Sequence, residues 1–173
     1  MLRQNRQSEK SFFSYRCPFG TLTIASNGKA ITHIGIGVQN YPGQHKACTL
    51  TNKAANEILE YFSGKRREFS VPLEPYGTEF QKQVWALLQE IPYGQTRTAK
   101  DLALALGDEK KAQSVGIAIK KNPIALMIPS HRIIGANGRF PDATKQMRIT
   151  SAILKEEIRI CNTQENAGED GSN

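Results

Sequence analysis

The sequence lacks the features that mark several large protein classes. No apolar run in its 173 residues approaches the ~18 needed to cross a bilayer, so a membrane-spanning protein is not expected. The opening MLRQNRQSEK is basic but leads into polar and aromatic residues rather than an apolar core, so a secretory signal is not expected either. Cysteine is scarce: Cys17, Cys48 and Cys161 are odd in number and widely spaced, which argues against a disulfide framework and for reduced thiols in the cytoplasm or nucleus. There is no internal repeat or low-complexity block, and 19.2 kDa leaves room for one domain or two small ones. Acids are outnumbered, 16 against 23 Lys plus Arg, for a net +7. Since the stretch from Ile160 onward holds three acids and no base, the rest of the chain is more basic still. Such a body favours polyanions, although charge alone does not separate a binding face from solubility.

What is present falls into two parts. Residues 1–10 and 161–173 are polar and poor in apolar anchors, and both ends are expected to lack fixed structure. Within 11–74, FFSYR, TLTIAS and AITHIGIGV read as three strands, broken at CPFG and at the strong turn signal Asn27-Gly28. Residues 39–50 show no period. Ala55, Ile58, Leu59 and Phe62 have helical spacing, with Thr51 as cap and Gly64 as stop, and EFSVPL reads as a further strand. Glu74 to Gly77 is a linker. The second part, 75–160, opens with Thr78 and a helix whose apolar face is Phe80, Val84, Leu87, Leu88 and Ile91, ended by Pro92. A helix, turn and helix follow. Thr98 caps the first helix, whose inner stripe is Leu102, Ala105 and Leu106. Gly107-Asp108 turns the chain, and Ala112, Val115 and Ile119 face inward on the second. Lys110, Lys111, Lys120 and Lys121 make the outer face basic, which suits phosphate contacts but equally a solvated surface.

Two longer stretches, GTEFQKQVWALLQEIPYGQTRT at 77–98 and NPIALMIPSHRIIGANGR at 122–139, resemble in order the O6-alkylguanine-DNA alkyltransferase family and its alkyltransferase-like relatives. The resemblance implies an α/β, RNase-H-like N-terminal subdomain and a mainly α, winged-helix-like C-terminal domain. That domain's helix-turn-helix enters the minor groove of duplex DNA and flips an O6-alkylated guanine. It further implies transfer of the alkyl group to a cysteine in Pro-Cys-His-Arg, with an Asn fixing the loop and a His-Glu pair relaying the thiol proton. No cofactor or metal is implied. The expected partners are duplex DNA, with or without O6-alkylguanine, and repair proteins, and a monomer inside the cell is expected.

Here the tetrad is Pro129-Ser130-His131-Arg132, so the acceptor position holds an oxygen. By the resemblance, His131 and Glu157 fall on the relay positions and Asn122 on that of the loop-fixing Asn, and Arg132 is read as a structural ion-pair partner. The family's helix-turn-helix Tyr falls at Ala99 and its Arg finger at Gln113. Its Tyr-x-Gly-Gly stretch falls across Ala143 to Gln146. Three further departures favour a naturally divergent chain over an engineered Cys-to-Ser variant. The catalytic set is therefore Ser130, His131, Glu157 and Asn122, and the DNA-binding set is Gln113, Ser114, Lys110, Lys120, Lys121, Arg97 and Ala99. The main reading is a DNA-repair family protein that binds duplex DNA and senses O6-alkylguanine without alkyl transfer. The alternatives are an active methyltransferase and a retired domain used for protein interaction. Cys17, His33, His45 and Cys48 fit no closed zinc template, and none of the three cysteines has the setting expected of a replacement acceptor.

Overall fold

The computed structural model describes residues 9–169. The chain divides into two compact units. One runs to Thr78 and takes back Asn122–Met127; the other comprises Glu79–Lys121 and the chain from Ile128 onward. Asn122–Met127, grouped by sequence with the second part, thus belongs with the first.

In the first unit, β1 (Ser11–Cys17), β2 (Gly20–Ser26) and β3 (Ile31–Ile36) pair antiparallel, where the β-branched and aromatic runs place them. The β2–β3 turn is closed by Asn27, whose Oδ1 accepts the N–H groups of Lys29 (3.0 Å) and Ala30 (2.9 Å). Gly28 takes φ +88° beside it, a conformation that costs glycine little. β4 (Gln44–His45) joins parallel to β1, giving the order β3-β2-β1-β4; two residues are too few to show a period in sequence. The segment taken back from the second part is tied to β3 by Ile34 N–H to Pro123 O (2.9 Å) and Ala125 N–H to Ile34 O (3.0 Å).

α1 (Thr49–Phe62) packs on this sheet, and Ala54, Ile58 and Tyr61 are buried with Ile24, Ile31 and Ile34. Three expectations for this unit need correction. Leu59 is exposed, because Tyr61 rather than Leu59 completes the buried face. The cap is Cys48, with extended backbone, while Thr51 sits inside the first turn and its Oγ1 accepts the Cys48 N–H at 2.9 Å. EFSVPL is no strand: Leu73 makes a single bridge to Ile31, and Pro72, lacking an N–H, cannot extend the ladder. Sequence also missed that Glu57 is buried. Its carboxylate accepts the Ser70 N–H at 2.8 Å and the Ser70 hydroxyl, with Arg66 near.

In the second unit, α2 (Glu79–Gln89) buries Val84, Trp85 and Leu88, and the Trp85 indole N–H donates to Ala118 O at 2.9 Å. That bond fixes α2 against α4 (Ala112–Lys120). The helix stops at Gln89, but Ile91 beyond it stays buried as its spacing suggests. α3 (Ala99–Ala105) buries Leu102 and Ala103, whereas Ala105, expected inside, is exposed: the inner face runs one residue earlier. A 3-10 turn, Glu109–Lys111, leads into α4. β5 (Arg97–Thr98) and β6 (Ile133–Ile134) pair parallel. α5 spans Lys145–Glu169. The expectation of a structureless tail from residue 161 is thus corrected as far as Glu169, because helix once nucleated propagates through Cys161 and the polar residues after it; residues 170–173 and 1–8 lie outside the described residues. No helix of the described residues is long and apolar enough to cross a membrane.

The entry to α3 is held by a reciprocal cap. Thr98 Oγ1 accepts the Asp101 N–H (3.2 Å), and Asp101 Oδ2 accepts the Thr98 N–H (2.8 Å). Thr98→Ala is expected to cost about 1 kcal/mol, read as a lower urea midpoint with unchanged slope. An unchanged midpoint would show that this cap contributes nothing in solution.

Candidate functional site

The centre of the second unit is a short 3-10 turn, Ser130–Arg132. Pro129 precedes it and the Ser130 N–H donates to Ile128 O at 2.8 Å, which leaves Ser130 half-buried and turns His131 and Arg132 into the interior. α5 brings the partner. Ile153, Leu154 and Glu157 form one buried stripe at spacings of one, three and four, so a carboxylate occupies a core position.

Three groups converge on that carboxylate. His131 Nε2 lies 2.7 Å from Glu157 Oε1. Arg132 donates from Nε to Oε1 (3.2 Å) and Oε2 (3.0 Å) and from Nη2 to Oε1 (3.0 Å), while its Nη1 donates to Ile91 O at 2.6 Å. The Gly94 N–H donates to Oε2 at 3.0 Å. The Tyr93 ring lies 5.7 Å from the guanidinium. Gly94 is the only residue type that fits its place, since a Cβ there would stand 2.6 Å from Cys161 Sγ and φ is +76°. Arg132 is therefore the ion-pair partner anticipated from sequence. Gly94 and Ile91 were not anticipated, as backbone donors and acceptors leave no mark in side-chain patterns.

The charges follow from this packing. Burial would raise the Glu157 carboxyl, but the hydrogen bonds and charges of His131 and Arg132 outweigh it and bring the group down to about 2. For His131, burial dominates and lowers the imidazole from its ordinary value despite the bond to Glu157, with the Arg132 charge acting in the same direction. Near neutral pH the pair is thus a carboxylate and a neutral ring. A carboxylate only accepts, so the ring proton sits on Nε2 and the lone pair on Nδ1. This arrangement is a weak base set immediately after Ser130.

Structure brings Ser130, His131 and Glu157 together within one unit. Asn122 is placed in the first unit, where its Oδ1 accepts the Ile124 N–H at 3.0 Å. Among the DNA-binding set, Gln113, Ser114, Lys120 and Lys121 are exposed along α4, and Lys110 is exposed on the turn before it. Arg97 is exposed on β5, and Ala99, the first residue of α3, is half-buried. Lys100 pairs with Glu109, linking α3 to the turn. Gly135 to Gly138 forms the expected tight turn, closed by Gly138 N–H to Gly135 O at 2.9 Å.

Cys48 caps α1, and although burial raises its thiol, hydrogen bonds involving Ser11, Thr51 and Leu50 bring it below the ordinary value. Burial instead raises Cys17. Among the described residues no group of three or more His, Cys, Asp or Glu could hold a metal ion.

Comparison with known proteins accounts for both units. Residues 12–75 match the family model of the 6-O-methylguanine DNA methyltransferase ribonuclease-like domain, and residues 79–159 match that of its DNA-binding domain. A methylated-DNA--protein-cysteine methyltransferase of Methanosarcina barkeri is 39% identical over 145 residues, covering 81% of this chain and 92% of that protein. The constitutive enzyme of that name from Bacillus subtilis is 37% identical over 128 residues, 69% of this chain and 78% of its own. Among solved structures, the O6-methylguanine methyltransferase of Mycobacterium tuberculosis superposes with a TM-score of 0.79 at 32% identity, over 87% of this chain and 93% of that one. A Mycobacterium tuberculosis structure in complex with DNA gives the same score and identity, over 87% of this chain and 94% of that one.

Proposed function

From the premise that this chain belongs to the 6-O-methylguanine DNA methyltransferase family, we propose that it binds duplex DNA inside the cell through α3 and α4, engages O6-alkylguanine, and does not transfer the alkyl group to residue 130. The observation that carries the last clause is Ser130 itself, seated beside an otherwise complete His131–Glu157–Arg132 cluster. Alkyl transfer is a displacement at saturated carbon and needs a soft, ionised nucleophile. A cysteine is partly thiolate at neutral pH and intrinsically nucleophilic, whereas a serine hydroxyl is not. A histidine whose basicity burial has lowered is a poor match for so weak an acid. Serine is activated by histidine elsewhere in acyl transfer, where an oxyanion develops and is stabilised; a methyl carbon offers no such oxyanion.

The names of the relatives support the other reading, active transfer to a protein cysteine. One experiment separates the two. The protein is incubated with duplex carrying O6-[³H-methyl]guanine, and label on protein is counted and mapped by mass spectrometry. The wild type is expected to stay unlabelled. So is Ser130→Cys, because Ala99, Gln113 and residues 143–146 have also departed from the family pattern. Label on wild type establishes the transferase reading and its acceptor residue, and label on Ser130→Cys alone shows that only the sulfur was lost.

A further inference from the structure

α4 exposes Gln113, Ser114, Ile117, Lys120 and Lys121, while Val115, Ala118 and Ile119 are buried. Offsets of three, four and seven place the exposed set on one helix face. Four of the five are polar or cationic. The exception is Ile117, 52% exposed. A scattered exposed apolar residue is ordinary, but the surroundings of this one are not. Gln113 and Ser114 stand one turn before it and Lys120 and Lys121 one turn after, so a branched apolar tip projects from the middle of the strip that faces DNA in the reading above.

That tip is held stiffly. A β-branched side chain in a helix has essentially one χ1 rotamer. α4 is also fixed from behind by the Trp85 bond to Ala118 O and by fully buried Val115. Phosphate contacts gain nothing from an isoleucine, which has neither charge nor donor. On a DNA-facing surface its favourable destination is the base stack, because apolar side chains entering from the minor groove wedge between base steps. The unstacking costs a few kcal/mol and is offset by the closer fit of the kinked duplex.

We propose that Ile117 is such a wedge, with Gln113 and Ser114 at base edges and Lys120 and Lys121 on the flanking phosphates. This rests on the DNA-binding reading and adds a residue and a physical act to it. The probe is a duplex with 2-aminopurine next to O6-methylguanine, whose fluorescence rises when its neighbours unstack. It is titrated at low salt with full-length wild type, Ile117→Ala and Ile117→Leu, with binding followed separately by anisotropy. Wild type is expected to raise the fluorescence. Ile117→Ala is expected to bind with the same salt dependence but lose more than about half of the rise, while Ile117→Leu keeps it. Circular dichroism shows that each variant is folded, as expected for an exposed position. Binding without a rise in wild type, or a full rise with Ile117→Ala, overturns the wedge and leaves DNA binding standing. Absence of wild-type binding in the anisotropy arm overturns the DNA-binding reading, and the wedge with it.

Discussion

Glu157→Gln is expected to destabilise the fold by about 3–5 kcal/mol, the range for a buried ion pair that loses one partner. The substitution keeps the side-chain volume, so it tests charge rather than packing. Three Arg132 donor bonds and His131 meet at this carboxylate, and both Glu157 and Arg132 are buried. With the charge gone, the guanidinium remains in the interior with Ile91 O and a neutral amide. Against a typical domain stability of about 5–15 kcal/mol the loss is large, and the urea midpoint should fall by more than about 1 M. A fall equivalent to less than about 1 kcal/mol would mean the cluster is hydrated in solution.

The same cluster sets the acid limit of the wild type. The Glu157 carboxyl is held at about 2 in the folded chain against an ordinary 4.5. Its stabilisation is therefore complete above 4.5 and lost as pH falls from 4.5 through about 2. A shift of this size corresponds to about 3 kcal/mol. His131 acts earlier in the same direction. Its folded value lies below 6.5, so as pH drops beneath 6.5 the unfolded chain takes up a proton that the folded one resists, and stability declines. Urea midpoints measured from pH 7 down to pH 3 should fall in both ranges. A flat profile would contradict the assigned charge states.

The second large effect is on DNA affinity. Among the described residues Lys110, Lys120, Lys121 and Arg97 are exposed on the second unit and take part in none of the ion pairs. If each neutralises one phosphate, log K should fall with log salt at a slope of about 0.9 per contact, which for these four means roughly a hundredfold weaker binding between 50 and 200 mM salt. Lys120→Ala with Lys121→Ala should reduce the slope by about 1.8 and weaken all duplexes alike, since phosphate contacts carry no sequence information. Fluorescence anisotropy at several salt concentrations measures both. A slope unchanged by the double substitution would move the interface away from the C-terminal end of α4.

Much of this was readable in the order of residues. Strands β1 to β3, the Asn27-Gly28 turn, the cap of α3 and the inner positions Val115 and Ile119 follow from local periodicity and turn chemistry, which act over a few residues. The tetrad Pro129-Ser130-His131-Arg132, with serine at its second position, is equally local. Tertiary structure decided the rest, because the forces involved join residues far apart in the chain. It gave Asn122–Met127 to the first unit through backbone bonds to β3, buried Tyr61 in place of Leu59, and denied EFSVPL a ladder at Pro72. It also set the Glu157 carboxylate in the interior: the resemblance put this residue at a relay position, but its clamping by the adjacent His131 and Arg132 and by the Gly94 amide joins two other segments of the chain, which local periodicity does not reveal.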